Sequence, residues 1–294
     1  MDSLKLGGFI IGAPKAGTSA ATVGLSNHPL IGRQTLREMN YFQHDDLYEA
    51  GWDAAYARFF EVGPKTQTLL GKNVGVLYSE HALERLHAHN PNVKVFVFLR
   101  NPIARAYSAY HFARRQGWET CESFEEALDA PRERLAGTIH AQTGGMDYLG
   151  RGLYAQHLEK AFTIFPRENI SVYFSEDLRT NMTAILRGMA EAICGEGVAG
   201  WTANTNRTNE SQAAKNQTVA RMVTRQFPGR RLLKRLIPGR ARDQMRASVQ
   251  KANSVAFTPP PLSDETRTRL RDYYRAPNQK LETLLGIDLA HWSD

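Results

Sequence analysis

Two short stretches of this 294-residue sequence hold residues whose types and spacing could do chemistry: GAPKAGTS at Gly12–Ser19 and RNPIARAYSAYHF from Arg100. The first follows the apolar run Phe9-Ile10-Ile11 and keeps two glycines, Gly12 and Gly17, at the separation of a Walker A loop. Thr18, however, stands where that loop has its lysine, and the only lysine is Lys15, inside the loop. A kinase or ATPase reading therefore loses the residue that reaches the β- and γ-phosphates. An anion site survives, because backbone N–H groups from Lys15 through Ala16, Gly17 and Thr18 to Ser19 can converge at a helix N-terminus, where the dipole and two hydroxyls favour negative charge. The plainer alternative is a glycine turn whose Thr18 or Ser19 caps the next helix. In the second stretch Arg100 leaves a strand and Ser108 shares a helical face with Ala104, so guanidinium and hydroxyl can clamp a second phosphate. Arg105 can reach the same region or form an exterior salt bridge. Together the two stretches imply a nucleotide that carries phosphate at two places.

Such groups need a scaffold, and the hydrophobic pattern supplies one. Residues 6–11 and Val93–Leu99 read as buried strands, the second with too little alternation for a half-exposed edge, and Ile170–Phe174 reads as a third. Helices are expected at Ala20–Ser26, Leu83–His89, Ile103–Arg114, Tyr154–Ile164 and Asn181–Ile193. This alternation predicts a three-layer α/β, P-loop-like fold with a central parallel sheet flanked by helices, and ligands beyond the carboxyl ends of the strands. The chain reads as a single domain over 1–294, with a mobile or basic cover segment at about 200–258 and, after Pro259-Pro260-Pro261, a closing helix at 263–285.

Composition narrows the setting. The formal charge is +7, but Arg221–Lys251 holds ten basic residues against the single acid Asp243. The excess is therefore local, and it suits phosphate, an acidic sugar or an anionic membrane surface as readily as solvent. Nucleic acid is disfavoured, since no aromatic-interleaved basic surface accompanies the cluster. Cys121 and Cys194 are the only cysteines and are expected to be unlinked, and the histidines lack metal-ligand spacing, so no metal is expected. No apolar stretch approaches the roughly 20 residues that span a bilayer, and no signal peptide is evident, so residence in the cytoplasm is the expectation.

GAPKAGTS followed by LRNPIARAYSAY resembles the paired cofactor signatures of the sulfotransferase family, whose donor is 3'-phosphoadenosine 5'-phosphosulfate (PAPS) and whose nucleotide product is adenosine 3',5'-bisphosphate. REMNYFQHDD at Arg37–Asp46, with GWDAAYARFF after it, resembles the KE-x-x-FF segment of the carbohydrate branch, which includes the heparan sulfate N-deacetylase/sulfotransferases and bacterial relatives. Tyr148–Leu178 and the C-terminal RLRDYYRAPNQKLETLLGIDLAHW extend the likeness to about the whole chain. The resemblance implies a 5'-phosphosulfate loop formed by Lys15, Ala16, Gly17, Thr18 and Ser19, a 3'-phosphate clamp formed by Arg100 and Ser108, and Glu38 as the base. It also implies that Lys15 stabilises the leaving oxygen.

GKNVGVLYS resembles the branch's E-K-x-P-x-Y segment with Lys72 and Tyr78 retained, which makes Lys72 a third catalytic candidate; Gly71 replaces the acid and the proline is missing. The branch's K-G pair in its nucleotide-covering loop is also missing, leaving Asn204 for base or ribose and Arg207 for the 3'-phosphate. The plainer alternatives are a solvent-facing Glu38 or one paired with Arg37, and a Lys72 that flanks a surface loop. The implied acceptor is a hydroxyl on a carbohydrate or glycolipid. A lipid or phenolic metabolite is the alternative, with Tyr41, Phe42, Trp52 and Tyr56 lining its pocket, although such residues are more often helix core. A P-loop kinase and a non-catalytic anion-binding or membrane-surface protein are the competing classes. Oligomeric state is not legible.

Overall fold

The computed structural model describes residues 3–131, 146–195, 200–205, 212–224, 245, 248–249 and 252–292. These divide into two compact units, one of residues 1–105, 151–209 and 271–294, the other of residues 106–150 and 210–270.

The first unit is built on a sheet of order β3-β2-β4-β1-β5-β6. Its strands are β1 (Leu6–Gly12), β2 (Ile31–Gln34), β3 (Phe60–Glu61), β4 (Thr68–Lys72), β5 (Lys94–Leu99) and β6 (Ile170–Phe174). All neighbours run parallel except the β2–β3 pair at the edge. Two adjacent interior strands, β1 and β5, have continuous apolar runs: Phe9, Ile10, Ile11 and Val95–Leu99 are fully buried, as a strand covered on both faces requires. Helices α1 (Thr18–Gly24), α2 (Asp45–Glu49), α3 (Trp52–Phe59), α4 (Glu80–His89) and α5 (Pro102–Arg115) follow the early strands. On one face Gly8 leaves room for Ile193 and Gly24 for Leu186, seating the later helix that carries both. On the other face the Phe9 ring meets Phe42 edge-on at 5.5 Å, under α4. The three-layer fold expected from the sequence is therefore present.

Helix α6 (Phe124–Asp129) belongs to the second unit, α7 (Tyr154–Ile164), α8 (Ser175–Thr180) and α9 (Met182–Cys194) to the first. The second unit also contains β7 (Gln212–Ala214), paired antiparallel with β8 (Ser254–Ala256), and α10 (Gln217–Thr224). The described residues of the segment read from sequence as a cover at about 200–258 thus include two strands and a helix. Within this unit Glu119 is fully buried, accepting from the Thr120 and Cys121 backbones and from the Tyr148 hydroxyl at 2.8 Å. Helix α11 (Asp264–Leu285) is the expected closing helix, its start shifted by a single residue.

The helix after the Gly12–Ser19 loop begins at Thr18 and not Ala20, because Gly17 is its N-cap in the left-handed region at φ 100°. Of the two readings of the aromatic set, the core one fits: Tyr41 and Phe42 are buried and meet edge-on at 4.9 Å, and Trp52 packs on Tyr41 while its Nε1 donates to the Leu4 carbonyl. Among the described residues, no helix is long and apolar enough to cross a membrane.

Candidate active site

Strands β4, β1 and β5 are adjacent and parallel, so their carboxyl ends open side by side, with Lys72 opposite Ile10 and Val97 opposite Gly12. Two backbone bonds extend the ladder past the strand ends: Ala13 N–H to the Phe98 carbonyl at 2.7 Å and Asn73 N–H to the Ile10 carbonyl at 3.0 Å. The donor loop leaves from this point. Lys15 takes φ 69° and Gly17 φ 100°, two left-handed residues around the buried Ala16. Such alternation makes an anion-binding concavity of backbone N–H groups. A non-glycine residue in this region is strained by about 1–3 kcal/mol and needs support. It receives support from Arg100, whose Nη1 donates to the Lys15 carbonyl at 3.2 Å. At Gly17 a β-carbon would meet Leu178 at 2.6 Å, so only glycine fits. No side chain caps α1, which excludes the plainer reading of a turn capped by Thr18 or Ser19 and leaves the helix's first N–H groups facing the loop.

Arg100 follows β5 directly. Burial pushes its pKa down, opposed by the neighbouring Glu176 and the Tyr154 hydroxyl and reinforced by the charges of Arg179 and Arg105. This is a desolvated guanidinium with two more beside it, a setting that a bound phosphate would relieve. Tyr154 donates its hydroxyl to the Arg100 carbonyl at 2.8 Å. Asn101 accepts from the N–H groups of Ile103 and Ala104, capping α5, and donates through Nδ2 to the Trp292 carbonyl at 2.9 Å. Ser108 lies on the second turn of α5, half-buried, among the residues of the second unit.

Glu38 and Lys72 meet. Lys72 Nζ donates to Glu38 Oε1 at 3.0 Å, and the Val74 N–H donates to Oε2 at 3.0 Å. The Lys72 side chain is 3% exposed and that of Glu38 27%, so the pair has its lysine end inside and its carboxylate at the surface. The backbone of Lys72 is itself bracketed: its N–H donates to Gln34 Oε1 at 2.6 Å, and its carbonyl accepts from Gln34 Nε2 and the Met39 N–H. Lys72 is interior and does not flank an exposed loop, and Glu38 is ion-paired with it while staying partly exposed. The departure at Gly71 has a physical cause. Gly71 stands opposite Phe9 in the ladder, and a β-carbon there would lie 2.5 Å from the Phe9 ring.

The structure thus brings Lys15 together with Arg100, and Glu38 with Lys72, at one end of the sheet. The Asn204 N–H donates to the Gly24 carbonyl at the last residue of α1. Trp201 and Thr202 are fastened nearby through Asn27. Arg207, and most of the basic segment 221–251, lie outside the described residues. Sequence reading missed Gln34, Asn73 and Glu176; the first two are neutral amides with no spacing signature.

A parallel α/β sheet with a lysine-bearing anion loop that is not Walker A, a desolvated arginine after the neighbouring strand, and a carboxylate held by a buried lysine define the PAPS-dependent sulfotransferases. The family model described as "Sulfotransferase domain" matches residues 8–193, and the chain belongs to that family. A human bifunctional heparan sulfate N-deacetylase/N-sulfotransferase 2 is 29% identical over 194 residues, which are 63% of this chain and 21% of that protein. A mouse heparan sulfate glucosamine 3-O-sulfotransferase 5 is 25% identical over 175 residues, 58% of this chain and 48% of that one. The chain therefore spans about a fifth to about half the length of these relatives. The crystal structure of a sulfotransferase from Alicyclobacillus acidocaldarius shares the fold, with a TM-score of 0.70, 21% identity and 99% of both chains covered.

Proposed function

We propose that the protein, acting as one sulfotransferase domain, transfers a sulfuryl group from PAPS to a hydroxyl of a carbohydrate or glycosylated acceptor. The observation that carries this is the Glu38 carboxylate, fixed at both oxygens by Lys72 and the Val74 N–H and still open to the surface. The likeness of segments of two heparan sulfate sulfotransferases to this chain supports the glycan class of acceptor.

The residues present fit the donor. The two left-handed positions at Lys15 and Gly17 turn backbone N–H groups toward one concavity, and the crowded cations around Arg100 favour a second phosphate. Bound PAPS supplies the sulfuryl group, whose sulfur–oxygen bond to phosphate breaks as the acceptor oxygen bonds to sulfur. Glu38 takes the hydroxyl proton, using a lone pair that its two held contacts leave unused. Lys15 and the loop amides neutralise charge on the departing phosphate. Arg100 holds the 3'-phosphate, and the Ser108 hydroxyl is assigned beside it from resemblance.

The test is incubation with isotopically labelled PAPS and an extract of the producing cells, followed by mass spectrometry of the labelled product. A sulfated sugar is expected. A labelled product without sugar would reject the carbohydrate acceptor and leave the transfer standing. Calorimetry covers the donor side: adenosine 3',5'-bisphosphate should bind far more tightly than adenosine 5'-monophosphate, and Arg100→Ala should erase most of the difference.

A further inference from the structure

Asn40 lies two residues beyond Glu38, at the start of a short 3-10 turn, Asn40–Phe42. Between them Met39 is fully buried with an extended backbone, φ −91° and ψ 95°. In extended chain, residues on either side of a buried one project to the same side, so Glu38 and Asn40 face outward together. What Asn40 offers there is decided by its neighbour. Asn73 is 3% exposed, and backbone groups fix both ends of its amide: Nδ2 donates to the Met39 carbonyl at 3.1 Å, and Oδ1 accepts from the Gly75 N–H at 2.8 Å. An exchange of its oxygen and nitrogen would set donor against donor and acceptor against acceptor.

Asn73 Nδ2 makes a second bond, at 2.9 Å, to Asn40 Oδ1. The oxygen of Asn40 is therefore the atom turned inward. Its Nδ2, which has no protein acceptor among the described residues, is left as a group that only donates. Asn40 is exposed, so this arrangement serves no core. The surrounding bonds fix a donor amide next to a fixed carboxylate.

We propose that Asn40 is an acceptor-binding residue that selects for an oxygen vicinal to the reacting hydroxyl. This rests on the reading of Glu38 as the base. While the Glu38 carboxylate takes the proton of one hydroxyl, the Asn40 amide donates to a lone pair on the neighbouring oxygen. The pair recognises the vicinal diol of a sugar ring and disfavours an isolated alcohol or a phenol, which has no oxygen to accept that bond.

The test uses the full chain, saturating labelled PAPS and two probe acceptors, methyl glucoside with vicinal hydroxyls and cyclohexanol with one. The wild-type protein should favour methyl glucoside in kcat/KM. In Asn40→Ala that preference should fall about 3- to 10-fold, the value of one neutral hydrogen bond. Asn40→Asp, which puts an acceptor where the donor was, should lose at least as much. Calorimetry with adenosine 3',5'-bisphosphate should be unchanged in both variants, which a general loss of structure would not allow. A preference that survives in Asn40→Ala overturns this inference and leaves the proposed function intact. Wild-type transfer to cyclohexanol alone, or to neither probe, overturns the inference together with the sugar-acceptor reading.

Discussion

The carboxylate of Glu38 and the ammonium of Lys72 share one hydrogen bond, and the lysine is far the more enclosed of the two. Replacing Glu38 by glutamine therefore does more than remove a base. In either orientation the amide nitrogen of the glutamine would face a donor, Lys72 Nζ or the Val74 N–H, and the buried ammonium would lose its counter-charge. Glu38→Gln should lower single-turnover transfer by at least about 100-fold and cost about 1–3 kcal/mol of stability. Adding Lys72→Met should return some of that stability, because an apolar side chain of similar length suits the site, and none of the activity. Urea denaturation and single-turnover transfer on both variants check this, and full recovery of transfer in the double variant would exclude Glu38 as the base. Lys15, Arg100 and Glu38 could be picked out in the sequence as candidates because charged residues stand out within motifs. The bonds that hold the backbone around Lys72 and Met39, and with it the proposed base, come from Gln34 and Asn73, which no motif marks.

At the level of elements, the strands that could be read were β1 and β5, whose burial forces a continuous apolar run, and the half-buried β6, whose ISVYF is rich in β-branched and aromatic residues. Strands β2 and β4 escaped because IGRQ and TLLGK are short and end in polar residues. Those polar ends are what the site uses, since Gln34 and Lys72 close the two strands and bond to each other. Gly71 shows the same conflict between pattern and packing. A mismatch to the family segment at this position reflects the Phe9 ring beside it, which occupies the space a side chain would need. Gly71→Ala should therefore cost about 1–3 kcal/mol through overpacking, measured as a lower urea midpoint with an unchanged slope. A neutral outcome would mean that Phe9 has room to move.

For the molecule as a whole, stability should depend on acid through a half-buried imidazole. His89 packs on Trp52 at 4.0 Å and accepts from the Leu6 N–H at Nε2, at 3.4 Å. Burial, with a smaller contribution from Lys5, lowers its pKa from 6.5 to about 4. Burial lowers that of His28 as well. The unfolded chain therefore takes up protons before the folded one does. Stability from His89 is full above pH 6.5 and is lost as pH falls from there through about 4; solvent screening of a half-buried side chain keeps the loss to about 2 kcal/mol. His89→Gln should flatten that region of the curve in denaturation experiments between pH 7 and 4, and an unchanged slope would exclude it. The bond from Asn101 to the Trp292 carbonyl joins residues 191 apart in sequence, and Asn101 caps the helix that follows Arg100. Closing so long a loop is entropically expensive and slow. The corner proposed to hold the nucleotide's second phosphate is thus expected to be completed late in time, after the sheet has formed, and a refolding chain should regain its helical signal before it binds adenosine 3',5'-bisphosphate.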